Sequence, residues 1–277
     1  MVDSDSKREN PYAFPLGMQL VLPEDYQNNG DFLSTLALLH ELGFSCIELN
    51  IGDPQTVEPE ALKAFLSRYG LTMTMLASGY SAIMHRLNLS DANIENRHRS
   101  VESCLRFIDF AATMGSGIIL GLIQGPPVLN PEPYRQNFHL SLETLVPYAI
   151  HKGVCLLIEA TNKTLTSIAN SISQTTRLIH GFPSTTVRIL ADTYHMHFEE
   201  ADMIGALIEH IDNFDSIHYS DDNRLLPGLG NLDFAKITEA LKQAGFQGIV
   251  VLEANIRNSM EKDLRASMDY LGPILAR

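Results

Sequence analysis

The chain of 277 residues carries 33 acidic and 20 basic side chains, a formal charge of −13 at pH 7, and 45% of its residues are hydrophobic. This apolar content supports a buried core and excludes global disorder. The acidic balance, with a pI near 5.1, argues against nucleic-acid binding, because neutralising phosphates needs clustered Lys and Arg.

The sequence shows no signature of export or of a membrane. Its first residues, MVDSDSKRENPYAF, lack the apolar core of a secretory signal, and no stretch reaches the ~20 apolar residues of a membrane helix. The three cysteines, Cys46, Cys104 and Cys155, match no CxxC spacing. We therefore expect buried thiols in a reducing compartment and a cytoplasmic protein that binds no membrane.

Short apolar runs alternate with longer segments of helical spacing along the chain. The predicted strands are Met18–Leu22, Cys46–Ile51, Thr72–Ala77, Gly117–Leu122, Val154–Ala160, Val187–Asp192, Phe214–Tyr219 and Gly248–Ala254. The clearest predicted helices are Asp31–Leu42, Asn93–Met114, Leu232–Gln243 and Lys262–Leu271. This alternation predicts parallel strands joined by helical crossovers.

Eight such units without a break in composition predict one (β/α)₈ TIM barrel domain over residues 16–277, after a polar extension over residues 1–15. An open doubly wound sheet is the alternative fold. No GxGxxG follows the first strand and no GxxxxGK[ST] occurs anywhere, so neither a dinucleotide site nor a P-loop is predicted.

Four ionisable residues stand at or near the ends of the late strands: Glu159, Asp192, His218 and Glu253. They are separated by 33, 26 and 35 residues, each close to the ~31 residues of one βα unit. Strand ends meet at one rim of a barrel, so these side chains are predicted to converge. Three carboxylates around one imidazole repel each other without a cation, and hard oxygen donors favour Mn²⁺, Co²⁺ or Mg²⁺ over a thiolate zinc site.

At this point the sequence resembles a known family, the xylose isomerase-like sugar isomerases and epimerases, and within it most closely the ketose 3-epimerases. The resemblance rests on two segments. Residues 191–200 read ADTYHMHFEE, similar to the family's DT[FY]HMxxEE. Residues 217–234 read IHYSDDNRLLPGLGNLDF, similar to H-x-S-x-x-x-R…PGxGxxD.

The resemblance implies roles for individual residues. Glu159, Asp192, His218 and Glu253 take the places of the metal ligands, with Mn²⁺ expected first and Co²⁺, Mg²⁺ or Zn²⁺ as alternatives. Glu159 and Glu253 would transfer protons on opposite faces of one carbon of a ketose, through a metal-stabilised enediolate. His195 and Arg224 match substrate-contacting residues, with His195 expected in a loop. A homodimer or homotetramer is also implied.

One position departs from the family pattern. The 3-epimerases carry a second Glu six residues after the first metal-binding Glu, and it contacts substrate hydroxyls; here that position is Leu165. Asn162 or Lys163 could substitute for it. An apolar branch in place of a carboxylate is expected to disfavour a substrate with a hydroxyl-rich end.

Three other functions stay open at this level. One is aldose–ketose isomerisation of the inosose or hydroxypyruvate isomerase type, and another is a non-catalytic relative that binds a metal and a sugar. An endonuclease IV-like activity is disfavoured, because that family needs further His and Asp ligands and its D-x-H pair is missing after His218.

Overall fold

The computed structural model describes residues 11–277 and contains eight parallel strands that close into a barrel in chain order. They are β1 Leu16–Val21, β2 Cys46–Asn50, β3 Thr72–Ala77, β4 Gly117–Leu120, β5 Leu156–Glu159, β6 Val187–Asp192, β7 Phe214–Tyr219 and β8 Ile249–Leu252. All eight predicted strands are confirmed, three of them with the predicted ends and the others with ends that differ by at most two residues. Because β1 also pairs with β8, the sheet is closed and the open-sheet alternative is wrong.

The crossover helices surround this barrel. They are α1 Gly30–Glu41, α2 Pro59–Ser67, α3 Gly79–His85, α4 Ile94–Met114, α5 Glu132–Lys152, α6 Ile172–Leu178, α7 Thr193–Glu199, α8 Met203–Glu209, α9 Phe234–Gln243 and α10 Met260–Leu275. The four clearest predicted helices correspond to α1, α4, α9 and α10. The ends of α4 carry the capping residues that make such a helix predictable. The Asn93 side chain accepts the N–H groups of Glu95 and Asn96, and Gly115 ends the helix at φ 72°.

Alternation along each strand divides the buried side chains into two layers. One set packs between the strands and the helices and forms the main core. A smaller apolar cluster faces the inside of the barrel and consists of Met75, Ala77, Ile119, Leu157 and Leu190. We call it the lumen layer. Leu157 and Leu190 lie two residues before Glu159 and Asp192, so the same strand face presents apolar groups inside and carboxylates at the rim.

The beginning of the chain adds to the barrel wall. Residues 1–10 of the predicted extension lie outside the described residues. Beyond them, Tyr12 forms a bridge to Ala276, and the ring of the buried Phe14 lies 5.5 Å from that of Phe246. The end of the extension therefore packs on the barrel. Among the residues described, no helix combines the length and apolar content needed to cross a membrane.

The predicted burial is confirmed for two of the three thiols. Cys46, Cys104 and Cys155 are all unpaired, and the first two are buried. Cys155 is only half-buried; it directly precedes β5, and its Sγ lies 3.7 Å from Asp215 Oδ2.

Candidate active site and metal centre

The structure brings together the four residues predicted from the late strands. Glu159 ends β5, Asp192 ends β6, His218 lies near the end of β7 and Glu253 directly follows β8. One possible ligand atom from each lies within 4.8 Å of the other three. Convergence follows from parallel strands whose carboxyl ends share a rim.

This cluster fits a divalent ion in span and in chemistry. Ligands on opposite sides of an octahedral ion at about 2.1 Å stand about 4.2 Å apart, close to the observed span. Three carboxylates and one imidazole are a donor set for such ions. Four carboxyl groups, those of the cluster and of Glu48, lie beside two cationic side chains, Arg224 and His218; three of the four are buried and Glu253 is half-buried. The excess negative charge favours a bound cation.

The two carboxylate oxygens of Asp192 make different contacts. Oδ1 accepts the backbone N–H groups of Tyr194 (2.8 Å) and His195 (3.4 Å), which caps α7. Oδ2 faces the cluster, 2.5 Å from Arg224 Nη1 and 3.8 Å from His218 Nδ1. The cap therefore fixes the direction of the oxygen that can bind an ion.

The two glutamates lie in unequal electrostatic surroundings. Burial, reinforced by the nearby charge of Glu253, raises the pKa of Glu159 to about 8. Burial also acts to raise the pKa of Glu253, but Arg224 and His218 outweigh it and hold that pKa well below its usual range. Glu159 therefore takes up a proton more readily than Glu253 does.

His218 lies between carboxylates on both sides of its ring. Nδ1 is 2.8 Å from Glu253 Oε2, and Nε2 is 2.8 Å from Glu48 Oε2. Burial alone would lower the pKa of His218, but Glu48 and Glu253 raise it well above its usual value. The ring therefore has one nitrogen on the cluster side and one on the side of β2.

His195 lies in helix α7, so its predicted loop location is wrong. The reason is the cap of Asp192, which starts a helix immediately after β6. His195 is buried, with Nε2 3.6 Å from Glu159 Oε1 and Nδ1 3.0 Å from Asn162 Nδ2. Because Asn162 Oδ1 already accepts from Thr164 N (3.0 Å), its amide group donates to His195 Nδ1. That bond leaves the proton of a neutral imidazole on Nε2, facing the cluster.

Arg224 spans two of the candidate ligands. Its Nη1 contacts Asp192 Oδ2 at 2.5 Å and its Nη2 contacts Glu253 Oε2 at 2.8 Å. The guanidinium also lies 5.0 Å from the centre of the Tyr194 ring. Arg224 adopts the left-handed conformation at φ 61°, and its amide donates to Asp221 O at 2.9 Å. A tight turn after β7 thus directs the side chain back into the site.

Gly121 makes room for Glu159. A Cβ atom at position 121 would lie 2.2 Å from Glu159 Oε2. Every residue other than glycine would therefore displace this carboxylate. The position follows directly after β4, whose C-terminal end borders β5 in the barrel.

The loop after β5 contains Leu165 and the two residues expected to substitute for the missing Glu. Leu165 is 40% exposed and its N–H donates to Asn162 O, so the two residues share one turn. Asn162 points to His195, whereas Lys163 is exposed and pairs with Glu199 at 2.8 Å. Of the two expected substitutes for the missing Glu, only Asn162 is directed toward the site, where it contacts His195.

Three polar residues of the early strands were missed by the sequence analysis. Glu48, Gln19 and Asn50 share the inner face of β1 and β2, and Glu48 is completely buried. The available signal was the alternation CIELN, in which a single Glu stands between two apolar residues of a buried strand. Glu48 lies inside β2, whereas the predicted site residues stand at or near strand ends.

Comparison with known proteins agrees with this arrangement. The family model described as "Xylose isomerase-like TIM barrel" matches residues 36–274. The chain is 28% identical over 237 residues to the 3-dehydro-D-guloside 4-epimerase of Escherichia coli (strain K12), covering 82% of this chain and 88% of that protein. It is 25% identical over 234 residues to the ketose 3-epimerase of Arthrobacter globiformis, covering 81% and 78%.

A solved structure shows the same likeness in three dimensions. The apo form of a 3-keto-D-glucoside 4-epimerase from E. coli superposes with a TM-score of 0.77 at 25% identity, covering 94% of this chain and 98% of that one. The predicted resemblance is confirmed by these matches and by the closed barrel. The chain belongs to the xylose isomerase-like TIM barrel family.

Proposed function

We propose that the protein is a divalent-metal-dependent epimerase or isomerase of a ketose or ketose-like sugar. The observation that carries the proposal is the cluster of Glu159, Asp192, His218 and Glu253 within 4.8 Å, with two glutamates among its members. The relatives named above are sugar epimerases, which supports the isomerase class.

The same four residues would hold the ion, and Mn²⁺ is the first expectation because the donor set is dominated by carboxylates. Co²⁺, Mg²⁺ and Zn²⁺ remain alternatives. When bound, such an ion supplies Lewis-acid polarisation of a carbonyl and its neighbouring hydroxyl, which acidifies the adjacent C–H.

Inversion of a stereocentre needs a base on one face of the carbon and an acid on the other. Glu159 and Glu253 come from β5 and β8, strands separated by two others in the closed barrel. Their surroundings push their pKa values in opposite directions, raised for Glu159 and lowered for Glu253. We assign proton transfer to these two carboxyl groups.

His195 and Arg224 would bind the substrate. The Nε2–H of His195 is directed at the cluster by the bond from Asn162, so it can donate to a substrate oxygen. Burial lowers the pKa of His195, which keeps this ring neutral. Arg224 carries a fixed positive charge beside Asp192 and Glu253, where it can stabilise negative charge that develops on the substrate.

Leu165 bears on the substrate class. Its exposed apolar side chain stands in the turn that also holds Asn162. A site with this side chain offers no carboxylate to the hydroxyl groups of a free ketohexose. We therefore expect keto-sugars whose far end carries fewer free hydroxyl groups to be preferred. Ketoglycosides are included as candidates because the E. coli relative is a 3-dehydro-D-guloside 4-epimerase.

The test is proton exchange in D₂O followed by NMR. Protein freed of metal and reloaded with Mn²⁺ is incubated with free ketoses, 3-ketoglycosides, inososes and hydroxypyruvate. We expect deuterium at one carbon beside the carbonyl, together with a new epimer or isomer, and loss of both on chelation. The exposed variant Glu239→Gln serves as the matched control for the loss of one carboxylate.

Two results would contradict the proposal in different ways. Failure to bind Mn²⁺ or another divalent ion would remove the metal centre. Stoichiometric binding without exchange on any substrate of the panel would instead leave a non-catalytic metal-binding relative.

A further inference from the structure

Glu48 contacts the candidate metal centre through His218, whereas His195 and Arg224 contact its carboxylates. It lies in the middle of β2 and its side chain is completely buried. Its Oε2 is 2.8 Å from His218 Nε2 and 3.2 Å from Gln19 Nε2, and its Oε1 is 3.4 Å from Ser216 Oγ. None of the functions assigned above uses this carboxylate.

A chain of hydrogen bonds fixes the direction of the bond from Gln19 to Glu48. The backbone N–H of Tyr80 donates to Asn50 Oδ1 at 3.1 Å, so the Asn50 amide group must donate onward. It donates to Gln19 Oε1 at 2.7 Å, which turns the Gln19 amide group toward Glu48. A backbone N–H can only donate, so the order of donors and acceptors along this chain is determined.

The geometry of His218 completes the argument. Its Nε2 faces Glu48, whereas its Nδ1 faces Glu253 at 2.8 Å and Asp192 at 3.8 Å. Both ring nitrogens face a carboxylate at 2.8 Å, but Glu253 and Asp192 on the Nδ1 side belong to the candidate ligand set and Glu48 does not. With Nδ1 turned to the ion, Nε2 keeps its proton and donates it to Glu48, because a carboxylate only accepts. In a neutral ring the lone pair is then on Nδ1, on the side where the other three candidate ligands lie.

We propose that Glu48 is a positioning residue that holds the His218 ring and keeps its proton on Nε2, so that Nδ1 binds the metal ion. A carboxylate that accepts from the second nitrogen of a metal-binding histidine orients the ring and raises its basicity as a ligand. The inference rests on the proposed function, because it requires the metal centre. It concerns how tightly the ion binds and does not depend on catalytic turnover.

The experiment compares Glu48→Gln and Glu48→Met with the wild-type chain by titrating metal-free protein with Mn²⁺ and recording the EPR signal of the free ion. Loss of this kind of partner typically weakens binding by about 10–100-fold. We expect Glu48→Gln at the lower end, because its amide oxygen still accepts without a charge, and Glu48→Met at the upper end. Asp263→Asn is the matched control, since Asp263 is also buried but contacts only the backbone of Arg257 and Asn258 and the Asn258 side chain.

A second measurement reports the ring itself. In Mg²⁺-loaded protein labelled with ¹⁵N-histidine, long-range correlations distinguish the two neutral forms of His218, assigned from the spectrum of His218→Asn. We expect the Nε2–H form in the wild-type chain and in Asp263→Asn, and a loss of this preference in Glu48→Met. A residue that only filled space would leave this signature unchanged.

The outcomes separate this inference from the proposed function. If the wild-type chain binds no divalent ion, both fall. If it binds Mn²⁺ and the folded Glu48 variants bind within twofold of it with an unchanged His218 signature, only the inference falls. Should Glu48→Met fail to unfold cooperatively, unchanged affinity in Glu48→Gln overturns the inference by itself.

Discussion

The two halves of the barrel share one backbone geometry but carry different inner faces. Strands β5–β8 bring Glu159, Asp192, His218 and Glu253 to the carboxyl-terminal rim. Strands β1–β4 contribute mostly apolar or uncharged side chains to the interior, and Glu48 is their only carboxylate. Below the rim, apolar side chains from β3–β6 form the lumen layer. The fold therefore concentrates the charged residues at the ends of β5–β8. The lumen layer packs below them, and Glu48 of β2 contacts His218.

The largest expected effect comes from substituting the two glutamates that strands β5 and β8 bring to the site. In Glu159→Gln and Glu253→Gln, epimerisation should fall by about 10²–10⁴-fold, the usual contribution of a positioned acid or base. Each variant keeps one of the two proton-transferring groups. We therefore expect each to exchange deuterium into one epimer only, a different one for each variant, without inversion.

This experiment follows both epimers separately in D₂O by NMR, with bound metal measured on the same samples. Exchange into the same epimer by both variants would contradict the assignment of the glutamates to opposite faces. The exposed Glu239→Gln variant should match the wild-type chain.

The lumen layer should respond in stability rather than in chemistry. Leu157 is completely buried two residues before Glu159, so Leu157→Ala is expected to lower the free energy of unfolding by about 2–5 kcal/mol. Mn²⁺ affinity should change little if the layer only supports the rim. Denaturant unfolding checks the first point, and Leu140→Ala on the exposed face of α5 should stay within about 0.5 kcal/mol.

The boundary between the halves can be tested at Gly121. Gly121→Ala places a methyl group where Glu159 Oε2 now lies, so the carboxylate must move. A displacement of about 1 Å at a reacting group can cost about 10²-fold in rate, so we expect kcat/KM to fall by about 10–100-fold. Unfolding free energy should change little, because the end of the Glu159 side chain is free to shift. Gly30→Ala, with open space at its Cβ, is the control.

The sequence was informative about the two halves to different degrees. The late sites were predictable because each polar residue closes an apolar run, and the runs recur at the spacing of a βα unit. Glu48 was missed because it lies inside β2, where only alternation marks it. The helix that holds His195 was also missed, since its cause is the Asp192 cap rather than an apolar stripe. Pairings such as Glu48–His218, 170 residues apart, depend on barrel closure, which local patterns do not describe.

The smallest expected effect concerns the substrate end of the late half. Leu165 is 40% exposed and no hydrogen bond of its side chain is at stake, so Leu165→Glu should change stability by no more than about 0.5 kcal/mol. A carboxylate at this position can accept from substrate hydroxyls, so kcat/KM for free ketohexoses should rise relative to that for ketoglycosides. A few-fold to about tenfold change in this ratio is expected, because one exposed hydrogen bond contributes about 0.5–1.5 kcal/mol. Leu165→Gln, which can accept without a charge, separates hydrogen bonding from electrostatics. An unchanged ratio in both variants would mean that Leu165 lies away from the substrate, and specificity would then have to be sought in Asn162 and the other residues that face the cluster.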